Sequence, residues 1–422
     1  MTAAGRLTQA QSSSDYKALV CVFLFGGNDG NNTVVPMDSS AYASYAKGRS
    51  SVALPIGNLA ALSAQGQAFG LHPQLAGLRD LYLQKRVAIV ANAGMLVAPV
   101  TRDQYRKGLA ATPKNLYSHS DQVLEWQSGS PIGGGASGWC GRAIDVLGSG
   151  NDGAFPPAVS VAGNSLLLTG SRTIPANLSP GNEFGLQSIG GSDSDLARLN
   201  SLQEILTLDT GAKLVTAAGS ILQKGFDNAK QVRGALGNAK PLQTVFPNTN
   251  LGSQMKQMAQ IISIRSQIGA TRQVFFCSQG GYDHHSELLT GQDRRFAELG
   301  PAMVAFYRAT EELGVATQVT SFTASEFGRT FNPSSTDGSD HAWGSHHFVV
   351  GGGVKGGDMY GRFPSLELQG PDDAGDRGTW IPTTSLDQYG ATLASWFGVS
   401  GNDLSTVFPN IGNFPTKSLN FV

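Results

Sequence analysis

Ala18-Leu-Val-Cys-Val-Phe-Leu-Phe25 runs without a polar side chain and stops at Gly26-Gly27-Asn28-Asp29-Gly30-Asn31-Asn32. A continuous apolar stretch of this length, β-branched in part, reads as a strand covered on both faces, and the glycines end it in a turn. Outward from it, His72 to Lys85 carries Leu75, Leu78, Leu81 and Tyr82 at helical spacing and leads into a second short strand, Val87-Ala-Ile-Val-Ala91. Strand, helix, strand is the alternation of a parallel sheet.

The alternation returns later in the chain. A helix over Gln254 to Ile268 precedes the strand Gln273 to Cys277, a long helix from Leu288 to Leu313 precedes the strand Thr317 to Thr323, and His347 to Val350 and a helix over Asp387 to Phe397 complete it. The fold class expected is α/β, three layers with a mostly parallel central sheet, in a single domain over residues 16–422. Between residues 131 and 250 the pattern changes to Gly, Ser and Asn clusters, a short strand-like piece at Ser165 to Thr169, and helical stretches at Asp195 to Leu208 and Ala212 to Leu236, which read as a cap inserted over the sheet. Residues 1–15 are polar and read as a flexible N-terminal segment without the features of a signal peptide.

With 422 residues the chain is long enough for a large core. Its 30 basic and 31 acidic side chains give a net charge of -1, so no broad positive field exists to hold nucleic acid. No apolar run approaches the roughly 20 residues of a membrane span. The 54 glycines imply many turns and ordered loops. Cys21 and Cys277 lie inside strand-like runs, where a thiol acts as a small buried hydrophobe.

Ligands of open α/β sheets bind beyond the carboxyl ends of the strands. Asp29 follows the first strand, Gly280-Gly281-Tyr282-Asp283-His284-His285 follows the third, and Ser325-Glu326-Phe327-Gly328-Arg329-Thr330 follows the fourth. Three carboxylates at one rim repel unless a cation lies among them. His285, His341, His346 and His347, the last three in Asp340-His-Ala-Trp-Gly-Ser-His-His347, add imidazoles. Mixed Asp, Glu and His ligation suits zinc, manganese or iron, whereas carboxylates alone suit magnesium or calcium. In Asn115-Leu-Tyr-Ser-His-Ser-Asp-Gln122, Ser118 or Ser120 falls at a helix N-terminus, placed either as an N-cap or as a nucleophile beside a bound cation. The plain alternatives are a turn around Asp29, a solvated loop at His284-His285, and an ion pair between Glu326 and Arg329. No serine has glycines two residues before and after it, the glycine-rich Gly351-Gly-Gly-Val-Lys-Gly-Gly357 lacks the lysine-then-Ser/Thr ending of a P-loop, and the Gly26 segment lacks the G-x-G-x-x-G spacing of a dinucleotide site.

Taken in order, Phe25-Gly-Gly-Asn-Asp-Gly-x-Asn32, Ser118-His119, Gly281-Tyr-Asp-x-His285, Ser325-Glu-Phe-Gly-Arg-Thr330, Asp340-His341 and Val349-Val-Gly-Gly-Gly-Val-Lys-Gly-Gly357 resemble the domain-of-unknown-function 1501 family, a branch of the alkaline phosphatase and sulfatase superfamily. The resemblance covers most of the chain and implies an alkaline-phosphatase-like fold. It implies Asp29 as the first-strand metal ligand, Ser118 or Ser120 as nucleophile, Asp283 and His285 on one metal closed by His346 or His341, Asp340 beside them, and Glu326 at a second metal. Arg329 would steady the charged group. The implied activity is hydrolysis of phosphate or sulfate esters of small molecules or glycans with one or two divalent ions, zinc foremost and calcium, magnesium or manganese as alternatives. Exported family members carrying twin-arginine signals imply a periplasmic or secreted protein, with the cytoplasm as the alternative. Phe327, which cannot ligate, and the short Asp283 to His285 spacing depart from the enzymes and motivate a second expectation: a catalytically silent binding or assembly protein on the same fold.

Overall fold

A computed structural model describes residues 15–131, 133, 135–148, 155–180, 192–208 and 212–422. The expected flexible segment 1–15 lies, except for Asp15, outside the described residues. The strands are β1 (Lys17–Leu24), β2 (Val34–Pro36), β3 (Ala60–Ala64), β4 (Gln67–Leu71), β5 (Val87–Gly94), β6 (Ala158–Ser160), β7 (Ala176–Asn177), β8 (Arg272–Gln279), β9 (Val319–Ala324), β10 (Ser345–Gly351), β11 (Met359–Tyr360) and β12 (Thr384–Ser385).

β1 is the middle of the large sheet, paired in parallel with β8 on one side and β9 on the other. The order is β11-β5-β10-β9-β1-β8-β6-β7, with β12 also on β5. The side chains of β1 alternate between two cores: Ala18, Val20, Val22 and Leu24 face one, and Leu19, Cys21 and Phe23 face the other. Helices Ala76–Leu83, Asn250–Ser263 and Leu288–Glu312 cover the first face, and Trp139–Leu147 and Leu386–Phe397 cover the second. The architecture is therefore α/β in three layers with a mostly parallel sheet, and the wholly apolar first strand is the consequence of burial on both sides.

β10 is the exception in direction, antiparallel to both β5 and β9. Its reversal matters for the site. The loop 325–344 leaves the carboxyl end of β9 and re-enters the sheet at the start of β10, so both ends of that loop stand on the same rim as the ends of β1, β5 and β8.

In the stretch expected as a cap, β6 and β7 extend the large sheet beside β8, and Cys140 and Ala143 of the helix Trp139–Leu147 are buried in the second core. Ser165 to Thr169 is not a strand but a 3-10 turn at Leu166–Leu168. Its backbone finds a side-chain partner instead of a neighbouring strand: Gln127 Oε1 accepts from Leu167 N at 3.1 Å and from Ser165 Oγ at 3.2 Å. A separate antiparallel sheet of β2, β4 and β3 was not read from the sequence. All three cysteines are free and buried, and among the described residues no helix is long and apolar enough to cross a membrane.

Candidate metal centre

The rim is assembled by a close approach of two strand ends. Gly26, at φ +115°, has room for no side chain, since a Cβ there would lie 2.5 Å from Asp283 N. Tyr282 N donates to Phe25 O at 3.1 Å, locking the turn after β8 against the turn after β1. Asp283 is thereby held at the centre of the rim.

Three imidazoles surround it. His119 Nε2 lies 3.4 Å from Asp283 Oδ2, while His285 Nε2 and His341 Nε2 lie 3.0 and 3.3 Å from Oδ1. His285 and His341 are 3.2 Å apart through the same nitrogens. In each ring the other nitrogen has its own partner. His119 Nδ1 is 2.9 Å from Glu326 Oε1, His341 Nδ1 is 2.7 Å from Tyr117 O, and His285 Nδ1 is 3.4 Å from Asp340 Oδ1. An acceptor at Nδ1 keeps the proton there and leaves the Nε2 lone pair facing inward, which is how protein carboxylates and carbonyls orient metal-binding histidines. His119 Nε2 is in addition buried without a hydrogen-bond partner among the described residues. One ligand atom each from His119, Asp283 and His341 fall within 4.8 Å of one another. The donor set, nitrogen and oxygen of mixed hardness, fits a divalent ion of the zinc type.

The electrostatics follow from the neighbours. Burial would raise the Asp283 carboxyl, but Arg329 and the His285 and His119 rings outweigh it and hold it at about 2. The hydrogen bond that His119 Nδ1 donates to Glu326 raises His119 despite some desolvation. Burial lowers His341. Phe327, stacked on His341 at 4.5 Å and tilted toward His119 at 4.8 Å, is an apolar shelf beneath two of the rings.

Several expected ligands stand elsewhere. Asp29 is fully buried and turned inward: its carboxylate forms an ion pair with buried Arg49 and accepts from Asn31 N at 3.1 Å and Asn31 Nδ2 at 3.0 Å. Its place is that of an N-cap for the short helix Gly30–Thr33. Glu326, expected at a second metal, is beside the cluster but behind His119: its Oε1 accepts from Gly26 N at 2.7 Å and lies 2.9 Å from His119 Nδ1. Asp340 likewise stands behind His285 and is paired with Arg377. His346 stacks on Phe363 at 4.7 Å, accepts from Asn92 N, and is pushed by burial down to about 3. His347 points to the opposite face of the sheet, against Trp126 and Tyr389. Arg329 is buried with its guanidinium on the Gly26, Gly27 and Ser339 carbonyls and on Asp283, which leaves it directed at the protein's own groups.

Ser118 is the N-cap of the helix His119–Ser128; its hydroxyl donates to Asp121 Oδ2 at 2.6 Å and lies 3.2 Å from Ser120 Oγ. The residue between them, His119, faces Asp283 and is a candidate ligand that the sequence analysis gave no role. Its signal was position: it is the first residue of a helix whose N-terminus stands at the rim, beside the serines that the sequence singled out.

The family described as protein of unknown function (DUF1501) matches residues 16–374. The chain belongs to this family. No curated protein sequence matches this DUF1501 chain. Solved structures similar to it include the lipoteichoic acid synthase LtaP from Listeria monocytogenes, 8% identical over 95% of this chain and 76% of that chain with a TM-score of 0.40. The zinc complex of the C-terminal periplasmic domain of EcEptC from Escherichia coli is 7% identical over 82% and 75% of the two chains, with a TM-score of 0.34. The phosphonate monoester hydrolase of Agrobacterium radiobacter is 10% identical over 91% and 74%, with a TM-score of 0.35. Likenesses this distant carry no argument about the chemistry of the DUF1501 chain, which rests on its own side chains.

Proposed function

We propose that His119, Asp283, His285 and His341 hold one divalent cation, zinc foremost, and that the protein uses it to hydrolyse phosphate or sulfate esters of small molecules or glycans. The observation that carries the reading is the convergence of three imidazole Nε2 atoms on one carboxylate, each ring fixed from behind at Nδ1. A divalent ion there supplies Lewis acidity toward a phosphoryl or sulfuryl oxygen. The protein's own part is orientation and proton placement. Glu326, Tyr117 and Asp340 keep the ring protons away from the centre. Phe327 keeps water from one side of His341 and His119. Ser118 is the nucleophile in this reading, its hydroxyl proton already directed at Asp121, and Ser120 is the alternative.

Elemental analysis of protein purified without chelator, together with turnover on aryl phosphate, sulfate and phosphonate esters, tests both halves. Bound metal lost in His119→Ala and His341→Ala, with hydrolysis lost alongside, is expected. A folded protein that neither carries nor takes up a divalent ion would remove the reading.

A second reading, a metal-holding but catalytically silent binding or assembly protein, is supported by Arg329 being engaged with backbone carbonyls and Ser118 with Asp121. It expects metal without turnover on the same panel. A periplasmic or secreted location belongs to both readings; its support is the family resemblance and a weakly charged, glycine-rich composition. Cell fractionation tests it, and protein found only in the cytoplasm would contradict it.

A further inference from the structure

The helices Asp193–Thr207 and Lys213–Gly237 form an arm whose apolar side chains are left facing outward. Of thirteen exposed large hydrophobic residues among those described, seven lie on it: Leu196, Ile205, Leu208, Leu214, Val215, Ile221 and Leu222. The arm is nonetheless built as a packed pair. Gly219 is buried, and a Cβ there would meet Leu206 O at 2.4 Å, so the two backbones approach as closely as a glycine permits. The second helix is anchored at its far half only, where Ala229 and Val232 are buried and Val232 joins the first core. Its first three turns stand clear, with Leu214 86% exposed and Ile221 58% exposed. Monomeric surfaces scatter such residues singly; a cluster of this kind marks an interface.

Charge selects the occupant. The first helix carries Asp193, Asp195 and Glu204 against Arg198, and the second carries Lys213, Lys224, Lys230 and Arg233 against Asp227. One helix is therefore net acidic and its neighbour net basic. A twofold axis laying one arm on another sets each acidic helix beside the partner's basic helix, and four helices then enclose the outward apolar residues of both arms. An anionic membrane would welcome the basic helix but repel the acidic one, which brings three of the seven apolar residues. At roughly 100 Å² of side chain apiece, the four residues on the second helix and at most two of the three on the first supply about 600 Å² per partner, the lower edge of a standard stable interface, since Leu196 and Ile205, nine residues apart, lie on opposite sides of their helix. We infer that the arm docks onto the arm of a second copy of this chain, forming a four-helix bundle that makes the protein a homodimer.

Sedimentation and light scattering of the full chain test the inference, and dimers at micromolar concentration are expected. The double variant I221E/L222E is expected to run as a monomer with an unchanged far-ultraviolet circular dichroism spectrum, since neither side chain is buried. A charge exchange guards against a misfolded variant: K224E/K230E and D193K/E204K should each lose the dimer alone and recover it when mixed. A wild-type monomer at every reachable concentration overturns the inference, as does a dimer that survives I221E/L222E. Co-sedimentation of monomeric protein with phosphatidylglycerol vesicles, abolished by I221E/L222E, overturns it in favour of a lipid surface.

Discussion

Glu326 touches no cation in the reading given above, yet it determines whether His119 can. Its carboxylate holds the ring proton on Nδ1, and Glu326→Gln would present an amide that can donate as readily as accept. Such partners behind a ligand typically contribute 10- to 100-fold in affinity. Zinc competition titration of Glu326→Gln is expected to show a loss of roughly that size, with His119→Ala losing more and the far-ultraviolet spectrum unchanged in both; an unaltered affinity in Glu326→Gln would separate Glu326 from the centre. At this scale the sequence placed Asp283 and His285 at one rim because both follow a strand end, and left the closing imidazole open between His341 and His346. It could not tell ligand from orienter: Asp29, Glu326 and Asp340 have the same carboxylate and the same kind of position, and only the tertiary location of Arg49, His119 and Arg377 separates their roles.

At the scale of elements, the helix Leu386–Phe397 carries Asp387 in its first turn, buried against the second core. Burial raises its carboxyl from 3.8 to about 7, with hydrogen bonds from Ser385 and backbone opposing the shift. Between these two values the folded protein keeps a proton that the unfolded chain has released, so this group's contribution to stability is complete below the lower value and lost as pH climbs through the upper one. Asp387→Asn removes that dependence. Melting temperatures of wild type and Asp387→Asn from pH 4 to 8 are expected to diverge as pH rises, with the variant gaining relative to wild type; parallel curves would place the carboxyl's titration elsewhere. Helices and strands of this length were legible from spacing and apolar runs. Leu166–Leu168 was not, because a short leucine run satisfies a strand pattern equally well and the partner that decided it, Gln127, lies on another helix.

For the whole molecule, the middle position of β1 makes it the most expensive strand to disturb. Leu19 is fully buried in the second core, and Leu19→Ala is expected to lower the unfolding free energy by about 2–5 kcal/mol in denaturant titration. A loss under about 1 kcal/mol would mean that the layer above it closes over the gap. The three-layer α/β class was readable from β1 together with the strand–helix alternation along the chain, since an unbroken apolar strand has to be covered on both faces and the alternating helices supply the cover. The reversed direction of β10 was not, because neither composition nor alternation records which way a strand runs.

That Arg329 already faces Asp283 from within the protein has an outcome for the life of the chain. The carboxylate has a resident counter-charge before any ion arrives, so folding does not wait for one. Unlike small zinc domains, which come apart when stripped, this chain is expected to keep its circular dichroism spectrum in excess chelator and to show only the modest fall in melting temperature that loss of a ligand brings; collapse of the spectrum would contradict it. Cells starved of the ion would then accumulate finished molecules ready for late loading, not debris for proteases.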